Sequence, residues 1–140
     1  MSSAALAKLN KAKQTKFFRR NIGAVKQYLE DPNSSALYTS MAEVLTQISL
    51  RSEVRVLLAF ADGHVIFDSA KNNNTLANFQ AQLIDENHNT RPEVMRAITA
   101  GEASAERVSS TVSVKSMYHA MRVGPTAENN MATLRLSVVI

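Results

Sequence analysis

Apolar side chains recur at helical spacing through the first third of the chain. Over residues 4–29 this spacing predicts one long helix. Its apolar stripe consists of Phe18, Ile22, Val25 and Leu29. Pro32 predicts the end of the helix, because proline lacks a backbone donor and restricts the residue before it. A second amphipathic helix is predicted over 35–51, so two apolar stripes need a partner to pack against.

The pattern then changes to alternation, which is typical of strands. Strands are predicted over 54–60, 65–67, 105–115, 117–123 and 131–139. Asp62 and Gly63 supply the positive-φ positions that a tight hairpin needs between the first two strands. Short helices are predicted over 75–84 and 92–100. The pattern predicts an α+β fold, with a five-stranded antiparallel sheet and the two long helices packed on one face. At 140 residues, one domain covering 1–140 is expected.

A capping box is predicted at the start of the last short helix. The Thr90 hydroxyl would accept a hydrogen bond from the amide three residues on, and Glu93 would reach back to the Thr90 amide. Gly101 marks the end of the same helix, at the position that favours a left-handed residue. The pattern therefore assigns Glu93 to the helix cap.

Alternation also gives the predicted sheet two unlike faces. One face is apolar, with Val54, Val56, Leu58 and Phe60 on the first strand and Val108, Val112 and Val114 on the third. The other face is polar and carries Arg107, Ser109, Tyr118, Arg122 and Arg135. An antiparallel sheet often leaves one such face in solvent, and that interpretation stays open at this point.

The segment 71–100 suggests a different role for the polar face. This segment must pack somewhere, and the polar face is the free surface, so we expect it to form a cover over a concave pocket. Arginine forks match carboxylate and phosphate groups, which favours a small anionic ligand. His88 and Arg91, from the covering segment, complete the candidate ligand-binding set.

Charge is unevenly distributed along the chain. Residues 1–20 contain six of the 16 basic groups and no acid, whereas the other 120 residues carry 10 basic and 12 acidic groups, a net charge of −2. Residues 1–15 are interpreted as a membrane-proximal helical extension. The chain has no apolar run long enough to span a bilayer, and its apolar end at 136–140 suggests that it was cut from a longer protein.

Catalytic and metal chemistry are not indicated. The chain lacks cysteine, its histidines at 64, 88 and 119 are scattered, and its four glycines form no phosphate-binding loop. We therefore predict no catalytic residue, no metal site and no cofactor.

Several segments, in order, resemble the PDC or single-Cache (PAS-like) sensor domains of bacterial histidine kinases and chemoreceptors. The hairpin at 62–69, with Asp62, Gly63, Asp68 and Ser69, is similar to that family's hairpin motif. The same holds for Asn87 and His88 followed by 91–94, for 107–109, for 118–123 and for 132–137. Arg122 stands where the family often has proline.

The resemblance covers roughly residues 15–140 and implies an extracytoplasmic sensor domain. It implies a five-stranded sheet, an N-terminal helix continuing from one membrane span and a second span after the last strand. It further implies a homodimer formed through the N-terminal helix, and ligands that are small carboxylates, amino acids or ions. A ligand would shift a two-state equilibrium that the N-terminal helix transmits.

Two alternatives come from other classes of protein. A cytosolic profilin-like or roadblock-like adaptor also places a helix before a strand, Asp-Gly, strand hairpin, and it would bind partner proteins rather than a small molecule. A nucleic-acid binder using residues 8–20 would lose affinity steeply with salt. The net negative charge of the remaining chain argues against the second alternative, and no nucleic-acid partner is predicted.

Overall fold

A computed structural model describes residues 3–14, 16–72, 74–81, 91–108, 114–124 and 131–140. The helices are α1 (Ser3–Gln14), α2 (Lys16–Glu30), α3 (Ser35–Ser52), α4 (Leu76–Ala81) and α5 (Pro92–Ala100). The strands are β1 (Arg55–Phe60), β2 (Val65–Asp68), β3 (Glu102–Val108), β4 (Lys115–Val123) and β5 (Ala132–Val139). None of these helices combines the length and the apolar character that a membrane crossing needs.

The five strands form one antiparallel sheet in the order β2-β1-β5-β4-β3. The last strand lies in the centre, between β1 and β4, so the chain's apolar end becomes the middle of the sheet. Both faces of β5 are covered, since every residue from Ala132 to Val138 is buried. The predicted α+β fold with a five-stranded antiparallel sheet is confirmed.

The apolar core lies between the long helices and one face of the sheet. Helix α3 buries Tyr38, Met41, Leu45 and Ile48, close to the predicted stripe. The sheet contributes cross-strand pairs such as Val56 with Leu136 and Leu58 with Leu134. Helix α3 begins where Ser34 accepts a hydrogen bond from the Leu37 amide, which satisfies a donor that the helix leaves unpaired.

The predicted helix over 4–29 corresponds to two helical segments, α1 and α2, with Thr15 between them outside the described residues. Ala5, Leu9 and Ala12 of α1 are buried in the core. The membrane-proximal role of residues 1–15 stays a prediction.

Two details of the strand prediction were wrong. Strand β3 is described from Glu102 to Val108, so it begins three residues earlier than predicted, and Lys115, predicted as its last residue, instead begins β4. Val108 and Val114, which were assigned to the core face, are 63% and 39% exposed. Val108 lies on an edge strand, since β3 pairs with β4 only, and Val114 directly precedes β4. Val112 lies outside the described residues.

The capping box was also wrong. The N-cap of α5 is Arg91, which makes no side-chain capping bond, and Thr90 lies outside the described part of the chain. Glu93 does not cap the helix, because its side chain is fully buried against two arginines. Gly101 does end α5, with φ at 94° and its amide bonded to the Ala97 carbonyl.

Candidate functional site

Helix α5 packs across β3, β4 and β5, on the face of the sheet opposite the long helices. This cover removes the polar face from solvent around the central strand. Arg135 is only 3% exposed, and Thr133 and Ser137 beside it on β5 are also buried. The alternative of a solvent-exposed polar face is therefore excluded for these residues.

Three predicted residues meet beneath α5. In the ladders, Tyr118 pairs with Ser137, Arg135 pairs with Ala120 and Arg107 pairs with Ser116, so both arginines are diagonal neighbours of the tyrosine. The Arg107 guanidinium carbon lies 4.0 Å from the centre of the Tyr118 ring, and that of Arg135 lies 4.8 Å from it. Both distances are within the range of a cation–π contact, so the buried ring stabilises both cations and orients them.

Glu93 from the first turn of α5 lies between the same two arginines. Its Oε1 accepts from Arg107 Nη2 at 2.5 Å and lies 3.7 Å from Arg135 Nη1. Its Oε2 accepts a longer bond of 3.4 Å from Arg107 Nε. Because Glu93 is completely buried, its charge depends on these partners for stabilisation. Glu93, Arg107, Tyr118 and Arg135 are called the arginine cluster below.

Burial also affects Arg135, the more deeply buried of the two arginines in the cluster. It lowers the pKa of Arg135 from its ordinary value to about 10, although the nearby charge of Glu93 acts in the opposite direction. Arg135 therefore remains protonated at neutral pH while paying a desolvation cost, and a second anion next to it would reduce that cost.

A second ion pair lies on the same face of the sheet, at the end that β1 and β2 form. Arg55 on β1 donates to both carboxylate oxygens of Asp68 on β2, at 2.9 Å and 2.5 Å. Asp68 is buried and also accepts from the Ala70 amide. Burial alone would raise the pKa of Asp68, but the hydrogen bonds and charge of Arg55 outweigh it and lower that pKa below its ordinary value.

The other predicted residues do not join the arginine cluster among the described contacts. Arg122 points to the opposite end of α5, where its Nη1 donates to the Ile98 carbonyl at 2.9 Å. Arg91 lies at the N-cap of α5 and is half-exposed. His88 and Ser109 lie outside the described residues.

The predicted site residues did not include Glu93 or the pair of Arg55 with Asp68. A signal for Glu93 was present, since Val94 and Ala97 share its face of α5 and both are buried. An acid on the apolar side of a short helix indicates a buried partner. Among the described residues, no three His, Asp or Glu side chains lie close enough to hold a metal ion. The arginine cluster holds one carboxylate, that of Glu93.

Comparison with known proteins supports a fold but no closer relationship. The sequence matches no protein-family model and none of the curated proteins searched. Among solved structures, the sensor domain of the histidine kinase DctB from V. cholerae matches with a TM-score of 0.71 and 18% identity. A methyl-accepting chemotaxis protein from Vibrio parahaemolyticus matches with a TM-score of 0.48 and 11% identity, too distant to support an argument.

The match to the V. cholerae domain includes nearly the whole of this chain. It covers 96% of the chain but only 50% of the V. cholerae domain, so the chain spans about half the length of that structure. At this identity the likeness concerns the fold alone. The chain therefore has the α+β fold of a histidine-kinase sensor domain, as its resemblance to PDC and single-Cache domains predicted.

Proposed function

We propose that this chain is a signal-sensing domain that binds a small anion at the arginine cluster. It would be non-enzymatic and would belong to a membrane-bound kinase or chemoreceptor, on the extracytoplasmic side. The fold supports a sensing role in general. The observation that carries the proposal is that Arg107, Tyr118 and Arg135 converge beneath α5 around a buried carboxylate.

The ligand is proposed to be an anion because the site already accommodates one. Glu93 presents its carboxylate to two guanidinium groups that are oriented by an aromatic ring, and the same donors fit the carboxylate of a small molecule. The buried Thr133 hydroxyl, two residues from Arg135, has no hydrogen-bond partner among the described residues. It would offer the ligand a further polar contact.

Binding is proposed to occur by exchange. A ligand carboxylate takes the place of Glu93 at Arg107 and Arg135, and the first turn of α5 is released from the sheet. Helix α5 connects through Gly101 to β3, and the Gly101 carbonyl accepts from the Arg122 amide on β4, so its movement reaches the sheet directly. A ligand that prefers the released arrangement shifts the equilibrium toward it.

The sheet would pass the change to the long helices on its other face. Helices α1, α2 and α3 cover that face, and α1 contacts β4 and β5. We propose that the N-terminal helix forms a homodimer and carries the movement to membrane-spanning segments outside this chain. The sequence of the complete gene tests this placement, because flanking spans favour the receptor and their absence favours a cytosolic adaptor.

Titration calorimetry with a panel of small carboxylates and phosphates tests the binding site. Exchange predicts that Glu93→Gln strengthens anion binding, because the internal competitor loses its charge. Arg107→Gln should weaken binding by about tenfold, which is the usual value of one charged hydrogen bond. Arg20→Gln is the matched control, since it removes one positive charge from an exposed position on α2.

Two results from this panel of anions would contradict the anion-sensing proposal. If no compound binds the wild type or Glu93→Gln at concentrations of about 10 mM, where a Kd of about 1 mM would be evident, the anion-sensing proposal is wrong. Equal weakening by Arg107→Gln and Arg20→Gln would also contradict it, because it would show that general electrostatic attraction, not the arginine cluster, holds the anion.

A further inference from the structure

We propose a second binding site, between α1 and the sheet, for small monocarboxylates with an apolar body. It goes beyond the function proposed above, since it lies on the opposite face of the sheet from the arginine cluster. The site is a cavity of about 290 Å³. It is bounded by Leu6, Leu9 and Lys13 on α1, and by Met117 and His119 on β4.

His119 is the buried polar group of this cavity. It is 7% exposed, and its Nδ1 lies 2.7 Å from the Ser104 hydroxyl on the neighbouring strand. Its Nε2 lies 3.2 Å from Glu102 Oε1 but forms no hydrogen bond with any described atom. A buried ring nitrogen without a hydrogen bond costs free energy that a ligand can recover.

The electrostatic surroundings make His119 a donor. Burial lowers the pKa of His119, and the charge of Lys13 lowers it further, against the opposite effect of Glu102, so the ring is neutral at pH 7. The carboxylate beside Nε2 favours the tautomer with its proton there, and the Ser104 hydroxyl then donates to Nδ1. The Nε2–H is thus available to an acceptor atom of a ligand.

Lys13 adds a positive charge from the other wall of the cavity. Helix α1 has no acidic residue, so the charge of Lys13 on this wall attracts an anion. Glu106 on β3 also borders the cavity, with its Oε1 3.9 Å from Lys115 Nζ. Glu102 and Glu106 would repel a second negative charge, which favours a monocarboxylate over a dicarboxylate or phosphate.

The remaining walls are apolar and set the size of the ligand. Leu6, Leu9 and Met117 would contact its hydrocarbon part, which gains free energy by leaving water. The volume lies at the lower limit for ligand pockets, about 300 Å³, so it suits a chain of about six carbons or a single ring. A ligand in this position contacts α1 and β4 together and would hold the N-terminal helix on the sheet.

Amide and methyl NMR spectra of the full chain, titrated with hexanoate, test the site. We expect shift changes for Leu6, Leu9 and Met117, with a Kd on the order of 1 mM. Lys13→Gln should weaken binding by about threefold to tenfold, as expected for loss of one partly exposed charge contact. Lys11→Gln is the matched control, because Lys11 is exposed on the same helix and does not border the cavity. Hexanol, which lacks the carboxylate, should bind more weakly than hexanoate.

Three results would overturn the proposal. They are the absence of shift changes at hexanoate concentrations of about 20 mM, equal weakening by the two lysine variants, and shift changes confined to Arg107, Tyr118 and Arg135. The last result would instead support the arginine cluster as an anion site. Changes around Leu9 and Met117 without changes at the arginine cluster support this second site even if the first proposal fails.

Discussion

Glu93→Gln is the substitution that tests the arginine cluster most directly. It keeps the shape of the side chain and removes the negative charge between Arg107 and Arg135. Burial lowers the pKa of Arg135 to about 10 even with Glu93 present. Relative to the ordinary value, this corresponds to a cost of about 3 kcal/mol for holding the charge in the folded protein. Without Glu93 the cost can only increase.

Loss of one partner from a buried ion pair typically costs about 3–5 kcal/mol. Because the Arg107 side chain is partly exposed, we expect a value near the lower limit, about 3 kcal/mol. For a chain of 140 residues, an unfolding entropy of about 2.1 cal/mol/K per residue converts this into a decrease in Tm of about 10 °C. The variant should still fold, since domains of this kind have free energies of unfolding of about 5–15 kcal/mol.

Urea and thermal unfolding followed by circular dichroism measure the effect. Glu53→Gln is the matched control, because Glu53 forms an exposed pair with Lys8 and the same substitution should cost less than about 0.5 kcal/mol. The double variant Glu93→Gln, Arg107→Gln should lose less stability than the sum of its single variants, by about 1 kcal/mol or more. Additive losses, or a loss for Glu93→Gln no larger than the control, would refute the ion-pair account.

Two further substitutions test the ion pair of Asp68 with Arg55 and the buried hydrogen bond of Tyr38. Asp68→Asn should cost about 3 kcal/mol near neutral pH. Because the pKa of Asp68 is lowered by folding, its contribution is complete above the ordinary value of 3.8 and is lost as the pH falls through the lower folded value. The difference from wild type in urea unfolding should therefore shrink in acid, and a constant difference would contradict this. Tyr38→Phe should cost about 1–2 kcal/mol, because the Tyr38 hydroxyl donates to the buried Ile66 carbonyl at 2.7 Å. Tyr28→Phe is its control: this hydroxyl is buried with no hydrogen-bond partner among the described residues, so Tm should stay equal or rise, and a comparable loss in both variants would contradict the assignment.

Periodicity predicted the central elements of the fold well and the edge of the sheet poorly. Strands β1 and β5 are buried on both sides of the sheet, so their apolar residues are dense and their pattern is clear. Strand β3 pairs on one side only and its side chains alternate between exposed and half-buried. Its segment 102–104, which contains glutamate, alanine and serine, has little β propensity, so ladder pairing to β4 and not side-chain character places it in the sheet.

The candidate site was predicted on the strands but not on the helix. Alternation placed Arg107, Tyr118 and Arg135 on one face, because side-chain direction in a strand follows from position alone. Glu93 fits a capping box equally well from its local sequence. Its actual partners are 14 and 42 residues away along the chain, and burial beneath α5 decides between the two roles. Arg55 and Asp68 depended in the same way on the register of a hairpin.

The substitution Glu93→Gln also distinguishes two possible roles of Glu93 in the arginine cluster. If Glu93 only supports the structure, its replacement by glutamine should lower stability and weaken ligand binding together, because the site would lose its geometry. If Glu93 competes with a ligand for Arg107 and Arg135, the same replacement should lower stability and strengthen binding. The fraction of molecules that have their arginines available limits the apparent affinity, and Glu93→Gln would increase that fraction. A loss of stability together with a gain in ligand affinity would therefore identify an exchange mechanism. In that mechanism the Glu93 carboxylate stabilises the folded protein by occupying the arginines until a ligand replaces it.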